Sequence, residues 1–123
     1  MDTRVSTTEG ALAAFSAAFG SGDVDAIMAL MTTDVVFEST GPAPDGVRVE
    51  GSEAVRAVWE NLFDGTSDAR FTEEESFGDG ERAVLRWRFD WLEADGSPGH
   101  VRGVDVLRFR DGLVAEKLSY VKG

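Results

Sequence analysis

The chain of 123 residues has no cysteine, one histidine, one tyrosine and three prolines. Without thiols there are no disulfides, no thiolate nucleophile and no Cys-ligated zinc, and a lone His100 has no second imidazole for a multi-histidine metal site. No apolar run approaches the roughly 20 residues that cross a bilayer, and the opening "MDTRVSTTEG" has no apolar segment like that of a signal peptide. A cytoplasmic protein with no membrane partner is therefore expected. Basic residues are also scarce: 12 Lys and Arg face 23 Asp and Glu, for a formal net charge of −11. Such a chain repels phosphate backbones, which are bound through clustered Lys and Arg, so nucleic acid is not an expected partner and the charge reads as solubility. What is present is apolar material, 42% of the residues, enough for one core in a single domain spanning 1–123. Any chemistry is expected to rest mainly on carboxylates, hydroxyls and arginine, and not on a multi-histidine metal site.

Hydrophobic spacing divides the chain into a helical half and a strand half. Ser6 and Glu9 form a capping box ahead of Leu12, Phe15 and Phe19, which predicts a helix from about Thr7 to Phe19. Asp23 is placed to cap a short second helix carrying Ile27, Leu30 and Met31, and Ser52 to cap a third. In the third, Val55, Val58, Trp59, Leu62 and Phe63 form an amphipathic stripe. Between the second and third helices lie a strand, "VVFEST", and a short extended piece, "VRVE". From Ala69 the period drops to two, and Asp79-Gly80, Asp95-Gly96 and Asp111-Gly112 mark hairpin turns. Four strands follow, over about 69–78, 81–93, 100–110 and 113–121. This order implies an α+β domain with helices on one face of a curved sheet.

Alternation then assigns faces. In "RAVLRWRFDWLE", Leu85, Trp87, Phe89 and Trp91 turn inward and the arginines outward. In "HVRGVDVLRFR", Asp105 shares the face of Leu107 and Phe109, where a carboxylate is costly unless it is hydrogen-bonded, neutralised or beside a wet cavity. Asp105 is the leading catalytic candidate, with a satisfied structural acid as the competing reading. In the last strand, strict alternation groups Val114, Glu116, Leu118 and Tyr120 against Leu113, Ala115, Lys117 and Ser119, and neither face is decisively apolar. Glu116 is a weaker candidate, its other reading being a solvated salt bridge. His100, at a hairpin mouth, is weaker still. In "VVFEST", an inward Phe37 puts Ser39 on the pocket side and turns Glu38 away.

The segments "GDVDAIMALMTTDVVFES", "VEGSEAVRAVWENLF" and "VDVLRFRDGLVAEKLSYV" resemble the nuclear transport factor 2-like superfamily over nearly the whole chain. Within it the resemblance is to the SnoaL-like polyketide cyclases and the ketosteroid isomerases. It implies a cone: a curved, mixed and largely antiparallel sheet wrapped around the three helices of the N-terminal half, usually a homodimer, with an apolar pocket for a small molecule. Phe15, Phe19, Phe37, Trp59, Phe63 and Trp87 would line that pocket, with Ser39, Leu118 and Tyr120 as further contacts. Carried over by position, the oxyanion tyrosine of the isomerases falls on Phe15 and their base on Ser39, while their oxyanion aspartate falls on Asp105. A phenyl ring donates no hydrogen bond and an unassisted serine is too weak a base, so ordinary ketosteroid isomerase activity is not expected. The SnoaL-like cyclases close a ring with one strand-borne aspartate and no cofactor, a role Asp105 could fill in a cyclase, isomerase or lyase. Limonene epoxide hydrolase, another relative, needs an inward Asp-Arg-Asp set that the outward arginines do not supply. The alternative is a non-catalytic ligand-binding or dimeric accessory protein.

Overall fold

The computed structural model describes residues 7–64 and 67–122. The Ser6 side of the capping box lies outside them. Three helices, α1 (Thr7–Ser21), α2 (Val24–Ala29) and α3 (Ser52–Asp64), accompany six strands, β1 (Met31–Glu38), β2 (Arg48–Glu50), β3 (Ser67–Asp79), β4 (Arg82–Leu92), β5 (Pro98–Arg110) and β6 (Leu113–Val121). The strands form one open sheet in the order β2-β1-β6-β5-β4-β3. The β1–β6 pair is parallel and every other neighbouring pair is antiparallel, so the three hairpin turns build a meander and the parallel pair joins it to the first strand. No described helix is long and apolar enough to cross a membrane.

Local chemistry explains most boundaries. Asp23 caps α2 through a hydrogen bond from the Ala26 amide at 3.2 Å. Two expectations are corrected. Met31 is a buried strand residue and not part of α2, because Leu30 ends the helix and its carbonyl accepts from the Val114 amide at 2.8 Å, drawing the chain into the sheet beside β6. Ser52 is the first residue of α3 and not its cap. Gly51 stands before it at φ +93° and its carbonyl accepts the Val55 amide at 3.0 Å, a backbone conformation that suits glycine.

The three helices cover one face of the sheet and share a core with it. Leu12, Phe15 and Phe19 of α1, Ile27 of α2 and Val55 and Trp59 of α3 meet Val35, Phe37, Leu85, Leu107 and Phe109 of the strands. Aromatic contacts knit the layers: Phe19 meets Trp59 at 5.0 Å and Phe71 at 4.8 Å between centroids, and Phe37 meets Trp59 at 4.6 Å, edge-on or tilted as ring quadrupoles favour. The outer face carries the charges. Arg86 pairs with Glu75 at 2.8 Å, Arg102 with Glu74 at 3.0 Å, and Arg110 with Asp34 at 2.5 Å, a hydrogen bond that holds the Asp34 carboxyl below its ordinary value.

Bulges within β3 and β6 break the alternation. In β3, Glu73 faces Trp87 while Glu75 faces Arg86, so Glu74 is an extra residue. Phe71 on one side of it joins the core, and Phe77 on the other is exposed. In β6, Val114 faces Phe109 while Glu116 faces Arg108, which makes Ala115 the extra residue. Val114 is buried, but beyond the bulge the inward residues are Lys117 and Ser119 instead of Glu116 and Leu118.

Candidate functional site

A cavity of about 650 Å³ opens at one end of the cone. That is the size of a small-molecule site, well above the few tens of Å³ a single water needs. Phe19 of α1, Trp59 of α3, Phe37 of β1 and Trp87 of β4 form its deep walls, and exposed Thr40, Leu92, Glu93 and Ala94 form its mouth. All three tryptophans of the chain, Trp59, Trp87 and Trp91, line it. Apart from Ser39, next to β1, and Lys117 and Ser119 on β6, the surface below the mouth is aromatic and aliphatic.

Lys117 is 5% exposed and Asp105 is 2% exposed. Lys117 Nζ lies 3.0 Å from Asp105 Oδ2 and donates to Ser119 Oγ at 2.8 Å. Ser119 Oγ donates in turn to Asp105 Oδ1 at 2.6 Å, and Trp87 Nε1 donates to the same oxygen at 3.0 Å. These contacts follow from register, since Asp105 stands opposite Ser119 and Leu107 opposite Lys117 across the β5–β6 pair. The ammonium also faces three rings, with centroids of Phe37, Phe19 and Trp59 at 4.9, 5.2 and 5.2 Å. A buried charge needs such company: a counter-ion, a hydroxyl and ring faces each favour the cation.

The candidates from the sequence fall into separate groups. Phe19, Phe37, Ser39, Trp59 and Trp87 stand on the cavity wall. Ser39 has its hydroxyl engaged in closing the following loop, donating to the Gly41 carbonyl at 2.8 Å and accepting from the Val47 amide at 2.9 Å. Phe15 and Asp105 border a separate void of about 20 Å³. Asp105 therefore reaches the main cavity through Lys117 and Ser119. Phe63 packs on Phe19 and Phe71, outside the cavity wall. Leu118 and Tyr120 are corrected: the Ala115 bulge places them on the outer face, with Tyr120 54% exposed. Glu116 lies on that face between Arg82 and Arg108, at 3.8 and 3.6 Å. His100 is exposed, opposite Asp90. Among the described residues no group of three or more His, Cys, Asp or Glu could hold a metal ion.

Lys117 escaped the sequence reading because alternation put it with Leu113 and Ala115. One signal pointed to it: an inward Asp105 needs a cation, and the neighbouring strand has one lysine within reach of its register.

Glycines seat two of the cavity tryptophans. A Cβ at Gly103 would come within 2.6 Å of the Trp87 ring and 2.4 Å of the Tyr120 carbonyl oxygen, and one at Gly99 within 2.6 Å of the Trp91 ring. The Trp87 ring thus packs against Gly103 with its N–H on Asp105. Gly103→Ala is expected to cost about 1–3 kcal/mol in denaturant unfolding, as overpacking does, and to shift the Trp87 emission. A substitution that leaves both unchanged would show that the ring is not seated there.

Open at its mouth, walled by aromatics and backed by an open mixed sheet, the molecule is a nuclear transport factor 2-like α+β cone. The family model of the SnoaL-like domain matches residues 12–117, and the chain belongs to that family. An NTF2-like protein of unknown function from Mesorhizobium loti is 37% identical, with 100% of this chain and 97% of that chain covered and a TM-score of 0.83. A proposed polyketide cyclase from Xanthomonas campestris is 20% identical over 94% of this chain and 90% of that one, with a TM-score of 0.78. TerC, solved after co-crystallisation with polyporic acid, is 18% identical over 94% and 92%, with a TM-score of 0.77. The last two share the fold. A comparison with curated proteins finds no match.

Proposed function

We propose that this protein binds a small, largely apolar molecule in the aromatic cavity, with a polar group of that molecule directed at Lys117. The observation that carries the reading is the 650 Å³ aromatic cavity with a buried ammonium on its wall. Burial of apolar ligand surface supplies affinity at about 25 cal/mol per Å², and one polar contact sets orientation. That a relative of the same fold was co-crystallised with polyporic acid is compatible with such an occupant.

The acid–base reading of Asp105 changes form. Its oxygens are held by Trp87, Ser119 and Lys117, so a cofactor-free cyclase, isomerase or lyase built on this aspartate would have to work through the lysine. The same closed set of contacts favours the second reading, a ligand-binding protein without catalysis, in which the aspartate fixes Lys117.

Since every tryptophan lines the cavity, its occupation is expected to quench intrinsic fluorescence. Titration with a bicyclic aromatic ketone such as 1-tetralone should give saturable quenching. Ala94→Trp at the exposed mouth should weaken binding at least about tenfold, equivalent to 1.4 kcal/mol, while leaving thermal unfolding unchanged. Absence of saturable quenching with any of a series of one- to three-ring aromatic ketones would overturn the reading.

A further inference from the structure

Resting on the binding reading above, we propose that Glu93 and Trp91 form a cation-accepting rim at the cavity mouth, which selects aromatic ligands with a neutral hydrogen-bond acceptor at the inner end and an ammonium group at the outer end. Two residues of the cavity lining carry charge, Lys117 below the mouth and Glu93 at it. Lys117 has its counter-ion in Asp105 at 3.0 Å. Glu93 has none among the described residues. The arginines of β4 and β5 are taken by other acids on the outer face: Arg86 by Glu75, Arg88 by Asp90, Arg102 by Glu74, Arg110 by Asp34, and Arg82 and Arg108 by Glu116.

The Glu93 carboxylate is set in place before any ligand arrives. Trp91 Nε1 donates to its Oε1 at 2.7 Å, and among the described residues Oε2 has no donor. Trp91 is itself seated on Gly99, its partner across the β4–β5 pair. The hairpin that carries Glu93 is closed by its own bonds. The Glu93 amide donates to the Ser97 carbonyl at 2.8 Å, the Gly96 amide to the Glu93 carbonyl at 2.9 Å, and the Ser97 amide to Asp95 Oδ1 at 2.9 Å. A side chain held in this way loses less freedom on meeting a cation than a mobile surface glutamate does. Phe89 and Trp91, both on the lining with centroids 5.6 Å apart, put aromatic rings beside the carboxylate, a combination that suits an ammonium.

Charge also sets the direction of the ligand. Reversed, its ammonium would meet the buried ammonium of Lys117, whose counter-ion Asp105 is 2% exposed and off the lining of the main cavity. An anionic group at the outer end would meet Glu93 in the field of a chain of net charge −11.

The test compares three 2-acetylnaphthalenes that carry an aminomethyl, a hydroxymethyl or a carboxyl group at C6, by calorimetry at low ionic strength and neutral pH. The wild type is expected to bind the ammonium about tenfold more tightly than the alcohol, the sum of one exposed ion pair and one cation–ring contact, and the carboxylate more weakly than the alcohol. Glu93→Gln keeps an acceptor for the Trp91 N–H. It should bring the ammonium to within about twofold of the alcohol, with affinity for the alcohol and thermal unfolding unchanged. Glu81→Gln removes the same charge from an exposed position off the cavity lining and should leave the preference intact. Wild type that binds the alcohol or the carboxylate as tightly as the ammonium overturns the rim and leaves the binding reading standing. So does a preference that survives in Glu93→Gln, or one that falls equally in Glu81→Gln and so belongs to the overall charge. Failure of the wild type to bind any of the three overturns the binding reading and the rim with it.

Discussion

Asp105→Ala is expected to lower the free energy of unfolding by about 3–5 kcal/mol, the usual loss when one partner of a buried ion pair is removed. Three groups lose their partner at once: the Lys117 ammonium its counter-ion, and the Ser119 hydroxyl and the Trp87 indole their acceptor. The larger part of the loss comes from leaving Lys117 without a counter-charge at 5% exposure. Removing both charges avoids that cost, so Asp105→Leu/Lys117→Met is expected to recover most of the stability, since well-packed apolar replacements of buried pairs are often neutral or better. Urea denaturation of the two variants and of Lys117→Met completes a double-mutant cycle. A loss below about 1 kcal/mol for Asp105→Ala, the range of a solvated surface pair, would mean that water reaches the pair.

Phe15→Ala is expected to cost a similar amount, about 3–5 kcal/mol, for a different reason. Phe15 is fully buried and borders the small void and not the main cavity, so truncation opens an apolar hole away from that cavity. Affinity for an aromatic ligand, measured by tryptophan quenching, should stay within about threefold of wild type, a difference of less than 1 kcal/mol. A large loss of affinity with little loss of stability would place Phe15 on the ligand and reverse the assignment made from the structure. The comparison with Asp105→Ala then separates two kinds of buried residue: one holds the core, the other holds the polar group that lines the cavity.

Much of the architecture was readable without coordinates. The three Asp-Gly turns mark hairpins between strands whose edges the structure moves by two residues or fewer, and Asp23 caps α2 where its position indicated. The inward Trp87 and outward Arg86 and Arg88 follow directly from a strand without a bulge. Met31 illustrates the limit: its spacing suits a helix, yet pairing with β6 claims it for the sheet, and no local pattern reports a partner more than 80 residues away.

By itself the sequence determined the class of fold, the period of each segment and the presence of an acid, Asp105, on an apolar face. These are local properties, set by turn chemistry, side-chain spacing and the cost of burying charge. Only the tertiary structure decided which group meets the cavity. A single extra residue at Ala115 reverses the faces of β6, sending Leu118 and Tyr120 outward and bringing Lys117 and Ser119 in to meet Asp105. A strand's side chains alternate with a period of two, so one bulge exchanges its two faces, and where a bulge forms depends on pairing with β5 and β1 rather than on the strand's own residues.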